Sequence, residues 1–246
     1  MKICFKCNAI QPTSGEVELG SMAWPMPFIK MVCDSCDTCY LTCPQCQKKS
    51  PTCPHCNNVL RHGKNVVETI NDILRTNKDK NRSDKIITLL ETKQKDVSTY
   101  YDDSGFSLLH LAAIHHETQL IKFLLSKGIS PLNQGHCKQP PLTTAIRLRG
   151  SRFKISTIKL LNESINEPDH NGQTALFFAS TGAGLFGSKQ GNEKIVMALL
   201  NAGADANIKD KSGHRAIDYA IQSNESSKTD ANASVVWILK NATSVD

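Results

Sequence analysis

The chain has 246 residues, 21% of them charged and 39% apolar, with a formal charge of +6, an ordinary balance for a folded protein of one or two domains. No run approaches the ~20 apolar residues that a membrane-spanning helix needs, and the start, Met1-Lys2-Ile3-Cys4-Phe5-Lys6-Cys7, lacks the apolar core of a signal peptide. A cytoplasmic or nuclear setting with reduced thiols is therefore expected, in which repeated C-x-x-C pairs read as metal ligands rather than disulfides.

Cysteine placement divides the chain. Nine of the ten cysteines lie between Cys4 and Cys56, and only Cys137 lies beyond. The expected domains are a metal-stapled head over residues 1–62, a degenerate capping helical repeat over 63–101, and about four helical repeats over 102–246. In the head the pairs are Cys4/Cys7, Cys33/Cys36, Cys43/Cys46 and Cys53/Cys56. Two C-x-x-C turns place four thiolates around one tetrahedral ion. Cys43-Pro44-Gln45-Cys46 and Cys53-Pro54-His55-Cys56 share one form across a short spacer, so they are expected to share a zinc ion. Cys4/Cys7 is expected to pair with Cys33/Cys36, which follows the strand-like Phe28-Ile29-Lys30-Met31-Val32. Cys36-Asp37-Thr38-Cys39 has the same spacing, and a crossed pairing of the knuckles stays open.

Residues 4–56 resemble the double zinc-ribbon family. The resemblance implies a small β-containing domain with two structural zinc ions, each closed by four thiolates, with no open position for catalysis. Such ions would add folding free energy on the order of 10 kcal/mol to a head with few core side chains. Eight thiolates and two zinc ions also bring the formal charge down to about +2, which argues against a broad basic surface. Trp24-Pro25-Met26-Pro27-Phe28 reads as cover for the head rather than as an exposed hook.

Residues 65–100 show helical spacing in Val66, Val67, Ile70, Ile73 and Leu74, then in Ile86, Ile87, Leu89 and Leu90, without a further motif. From there an internal repeat begins. Ser107-Leu108-Leu109-His110-Leu111-Ala112-Ala113 aligns with segments centred on Thr143, Phe177 and Asp218, spaced 33, 34 and 41 residues apart. Turn segments precede three of them: Asp103-Ser104-Gly105, His170-Asn171-Gly172 and Lys211-Ser212-Gly213. A second apolar helix follows each, as in Leu120 to Leu125 and Ile195 to Leu200. This pattern, with Gly203-Ala204-Asp205-Ala206-Asn207, resembles the ankyrin repeat over residues 102 to 242. The resemblance implies a mainly α solenoid of turn, two antiparallel helices and loop, with His110 bonding between repeats.

The departures are informative. The second of these units begins with Pro140-Pro141 and lacks the turn glycine; Arg147-Leu148-Arg149-Gly150 lengthens its inter-helix gap. Gly182 to Asn192 is an insertion in the third unit, and Ser223 to Ala233 is a polar insertion, expected to be mobile, in the fourth. All should project on one side of the stack. Gly182-Ala183-Gly184-Leu185-Phe186-Gly187-Ser188-Lys189 contains G-x-G-x-x-G, but a helix precedes it where a phosphate loop needs a strand, so it reads as an insertion. His115-His116-Glu117 reads as an exposed helix end, and Cys137 as a lone exposed thiol. No nucleophile–base set comes together.

The expected function is a non-enzymatic protein–protein scaffold. Its partner residues would be the turn tips His136, Lys138, His170, Asn171, Lys209, Asp210 and Lys211, with Arg147 on a first helix. Their mixed polarity suits a protein epitope. Two other readings stand beside it: nucleic-acid binding by the head through Lys6, Lys30, Lys48, Lys49, Arg61 and Lys64, and a bacterial adaptor delivered into a host cell.

Overall fold

The computed structural model describes residues 2–3, 10–11, 29–33, 39–42, 52, 54, 60–62, 66–76, 81–92, 96–102, 104–181, 192–227 and 232–243. The chain divides into two compact units, Met1–Asp96 and Val97–Asp246. The boundary expected near residue 62 therefore falls inside the first unit.

In the first unit, β1 (Lys2–Ile3) pairs antiparallel with β2 (Ile10–Gln11). A three-stranded antiparallel sheet is centred on β3 (Ile29–Cys33), flanked by β4 (Cys39–Thr42) and β5 (Leu60–His62). Residues two apart on a strand share a face, and Met31 and Cys33 are both buried on one face of β3. The register sets Val32 opposite Cys39, so the strand expected to lead into a cysteine turn is present. Helices α1 (Val66–Thr76) and α2 (Arg82–Glu91) pack together. Val66, Val67, Ile70 and Leu74 recur at helical spacing on the buried side of α1, and Ser83, Ile86 and Leu90 on that of α2.

The second unit is built of four helix pairs. They are α3 (Leu108–His115) with α4 (Thr118–Ser126), α5 (Pro141–Arg149) with α6 (Ser156–Leu160), α7 (Ala175–Thr181) with α8 (Glu193–Asn201), and α9 (Ala216–Ser227) with α10 (Ala233–Ala242). First helices stack in a row, α3 on α5, α5 on α7 and α7 on α9, while α4 meets α6 and α8 meets α10. The first two helices of the row have almost no exposed face: Leu108 through Ile114 are all buried, as are Pro141 through Ile146. Small buried residues at Ala112, Ala145, Ala179 and Ala220 allow close approach, and Leu109, Leu142 and Leu176 fill the layers. The second helices are amphipathic, burying Leu120, Ile121 and Leu124 on α4 and Ile195, Val196 and Leu199 on α8.

Two helix ends differ from expectation. Ser223 to Ser227, expected in a mobile insertion, continue α9 as regular helix. Asn232, in the same expected insertion, is buried, and its side-chain amide donates to the carbonyls of Ser180 at 3.0 Å and Ala220 at 3.3 Å, tying the third pair to the fourth. The second pair carries the shortest described helix: α6 has five residues, preceded by a 3-10 turn at Gly150–Arg152 and followed by another at Asn162–Ser164. Asn and Ser weaken helix continuation by competing for the backbone, and the Ser164 hydroxyl donates to the Leu161 carbonyl at 2.8 Å. No described helix is long and apolar enough to cross a membrane.

Candidate partner-binding surface

Each first helix is preceded by a tight turn, and the turns share one construction. An aspartate opens it, and one oxygen of its carboxylate accepts two backbone amides, two and four residues on. Asp102 takes Ser104 and Phe106 at 2.9 Å each; Asp169 takes Asn171 at 2.8 Å and Gln173 at 3.0 Å; Asp210 takes Ser212 at 2.9 Å and His214 at 3.0 Å. Aspartate suits this place because its short side chain mimics a backbone turn. In the second pair Asn133 supplies one such bond, to the Gly135 amide at 2.9 Å.

Three residues after the aspartate, the backbone turns left-handed. Gly105, Gly172 and Gly213 have φ of 79°, 84° and 83°, and Lys138 stands at the matching place with φ 55°. The left-handed residue thus persists in the unit that lacks the glycine, carried by a lysine at a conformational cost of order 1 kcal/mol. Close approach adds a second demand: a Cβ on Gly105 would sit 2.8 Å from His136 Cβ, and one on Gly172 would sit 3.0 Å from the Lys211 nitrogen.

Neighbouring tips are joined by a ladder of bonds. The amide of His136 donates to the Gly105 carbonyl at 3.0 Å, that of His170 to Lys138 at 3.3 Å, and that of Lys211 to Asn171 at 3.0 Å. Beneath it, the second oxygens of the aspartates bind the previous turn: Gln139 Nε2 donates to Asp169 Oδ2 at 3.0 Å and Gln173 Nε2 to Asp210 Oδ2 at 3.4 Å. The Tyr219 hydroxyl donates to the same Asp210 oxygen at 2.6 Å. Desolvation would raise the Asp210 pKa, but the bonds from Tyr219, the His214 and Ser212 amides and Gln173 outweigh it and hold the pKa below the usual carboxylate value. The same bond, with desolvation, pushes the Tyr219 phenol upward.

His110 makes the inter-repeat bond implied for it. Its Nδ1 accepts from the Ser107 amide, which leaves the proton on Nε2 for the Gln139 carbonyl at 2.8 Å. Burial lowers its pKa, keeping the ring neutral. Cys137 Sγ lies 3.5 Å from His110 Nε2, yet that nitrogen is committed to Gln139 and burial pushes the thiol pKa up. Cys137 is half-buried rather than exposed. This is packing, not an activated thiolate. His116, expected at an exposed helix end, is instead half-buried in a left-handed cap (φ 58°), edge-on to Phe153. Desolvation, then Arg149 and Lys154, depress its pKa to about 4.

Of the expected partner residues, His136, Lys138, His170, Asn171, Lys209 and Lys211 are exposed on or beside the tips. His136 is held by stacking on Tyr101, with centroids 4.2 Å apart. Arg147 is half-buried on α5, and its Nε is buried without a hydrogen-bond partner. Asp210 departs from the expectation: it is buried and spent on four donors, so it is a joint of the turn and not a contact residue. The aspartates were legible as D-x-S/N-G at residues 102, 169 and 210 in hindsight only, once the partners of their carboxylates are seen. A shallow hollow of about 430 Å³ beside the last tip, lined by Ser212, His214, Asp218, Tyr219, Gln222 and Glu225, gave no sign in the sequence.

Among the eight expected metal ligands, Cys4, Cys7, Cys36, Cys43, Cys46, Cys53 and Cys56 lie outside the described residues. Cys33 is buried at the end of β3, a place from which a thiolate could join a closed shell. Among the described residues no group of three or more His, Cys, Asp or Glu could hold a metal. Of the six head lysines and arginines considered for nucleic acid, Lys30 and Arg61 lie on described strands and Lys6, Lys48, Lys49 and Lys64 outside the described residues.

The ankyrin-repeat family model matches the chain over residues 104–136 and 171–211. These are the first and third helix pairs with the turns that follow them. No curated protein matches the chain.

Proposed function

We propose that the chain is a non-enzymatic scaffold that holds a partner protein on the turn tips of its repeats, with two structural zinc ions stapling the N-terminal unit. Ankyrin repeats are protein–protein interaction modules, and two matched segments carry them here. The observation that carries the reading is the tip ladder. Backbone bonds between neighbouring tips and the inward aspartates fix the turns, and His136, Lys138, His170, Asn171, Lys209 and Lys211 are left outward on that frame. Fixing the frame before binding lowers the ordering cost of recognition.

The zinc part rests on the four C-x-x-C pairs, whose donor set suits a closed tetrahedral thiolate site, and on Cys33 at a strand end. A bound ion would hold the connections of the head together; the thiolates of Cys4, Cys7, Cys33, Cys36, Cys43, Cys46, Cys53 and Cys56 would hold it. We place the protein in the cytoplasm, where those thiols stay reduced.

Amine-directed cross-linking of the full chain with its captured partner tests the scaffold reading. Cross-links should concentrate on Lys138, Lys209 and Lys211 and spare Lys122 and Lys240, which are exposed on α4 and α10. Links confined to the N-terminal unit, or to Lys122 and Lys240, would place recognition elsewhere.

A further inference from the structure

We infer that the segment of the partner seated on the tips is acidic, a reading that rests on the tips being the binding surface. The argument begins with where the turn carboxylates go. Asp102, Asp169 and Asp210 each face into their own turn and are held there by backbone amides. Asp169 and Asp210 are buried. The acids that open the described turns are therefore taken up by the frame, while Lys138, Lys209 and Lys211 stand exposed on or beside the tips; the exposed Asp205 lies in the loop before Lys209, and Asp103 of the first turn lies outside the described residues.

The positions between them point the same way. His136, His170 and His214 are exposed, Asn171 and Ser212 stand beside them, and all carry N–H or O–H donors. The surface as a whole offers donors and positive charge, and the complementary partner offers acceptors and negative charge.

A nucleic acid is also an acceptor-rich polyanion, but two observations favour a protein segment. The unit as a whole is close to neutral: residues 97–246 hold 15 Lys and Arg against 13 Asp and Glu. A phosphate backbone draws its affinity from a concentrated and extended positive surface. Furthermore, the hollow that continues the row past His214 is edged by Asp218 and Glu225, where a continuous phosphate chain would meet like charge. A peptide, whose charges are separately placed, accommodates both signs along one path.

The test is a selection of random displayed peptides on the full chain and on a variant carrying Lys138→Gly, Lys209→Ser and Lys211→Ser. Glycine suits the left-handed backbone at residue 138, and residues 209 and 211 are exposed, so the variant should keep its fold; its circular dichroism and melting curve check this. Peptides enriched on the full chain should be rich in Asp and Glu and should bind the variant about tenfold or more weakly. A control carrying Lys122→Ser and Lys240→Ser should bind them unchanged. Neutral or basic peptides that lose affinity for the variant would overturn the charge assignment while leaving the tips as the binding surface. Binders indifferent to the variant would overturn that surface as well. An oligonucleotide that binds the full chain more tightly than the selected peptides, and loses affinity on the variant, would replace the protein segment with nucleic acid.

Discussion

The side-chain amide of Gln139 donates to the carboxylate of Asp169 across a repeat boundary at 3.0 Å, and both residues are buried. The same carboxylate closes its own turn through two backbone amides. One aspartate thus couples the shape of a turn to its position against the previous one. Asp169→Ala should cost about 2–3 kcal/mol, because it leaves buried donors unpaired. Gln139→Ala should cost less, and a double-mutant cycle by urea denaturation should return a coupling of about 1 kcal/mol. A coupling near zero would mean that the turns are positioned by helix packing alone.

Lys138→Gly should stabilise the protein by about 0.5–1 kcal/mol. The left-handed φ of 55° is unfavourable for lysine and free for glycine, and the gain outweighs the larger entropy of glycine in the unfolded chain. Thermal and chemical melts of the two proteins decide it.

Gly172→Ala and Gly213→Ala should separate two costs that coincide at the other tips. Both residues have φ above 80°, but a methyl at 172 meets the Lys211 nitrogen at 3.0 Å while nothing lies within 4 Å at 213. Strain alone, about 1 kcal/mol, is expected at 213. A larger loss is expected at 172, visible as a lower urea midpoint.

Acid should weaken the repeat unit in two stages. His116 has a folded pKa of about 4 against an ordinary 6.5, and His110 is shifted in the same direction. The unfolded chain therefore takes up protons first, and stability present above pH 6.5 is lost as pH falls towards 4. Discounted for the partial exposure of His116, its share is about 1–2 kcal/mol. Asp210, whose pKa is lowered, holds its contribution above the ordinary carboxylate value of 3.8 and loses it only below that. His116→Asn, which keeps a residue tolerant of the left-handed cap, should flatten the upper stage in melts taken from pH 7 to pH 4. An unchanged slope would assign that stage to other groups.

Chelation of zinc should unfold the N-terminal unit around its cysteines and leave the repeats helical. Metal analysis of the purified chain should find about two zinc ions, as two four-thiolate shells require. The far-ultraviolet helical signal should survive a chelator, while thiol reagents should reach the eight ligand cysteines only after it is added. One ion or none would remove the two-site arrangement.

The repeat was legible because its signals are local. The spacings of 33, 34 and 41 residues between motif centres recur between the left-handed residues 105, 138, 172 and 213, since both follow one turn-helix-helix unit. The Leu and Ala of the first helices were legible as core for the same reason. What escaped depends on neighbours. Asp210 sits between two lysines and looks like surface until Tyr219 and Gln173 are packed against it. Asn232 reads as loop because the Ser180 carbonyl it holds lies 52 positions earlier. Lys138 carries no composition signal for a positive φ; only its place in the row reveals it.

The inward aspartates have a consequence for how recognition can change. Since the frame draws on Asp102, Asp169, Asp210 and the left-handed row, the outward side chains at 170, 171 and 211 are expected to carry little of the fold's stability. Such positions drift freely under mutation, so a lineage could exchange one partner for another by a few surface steps without passing through an unstable intermediate. On the proposed function, specificity would be written on the stack, and the grammar that holds it lies underneath.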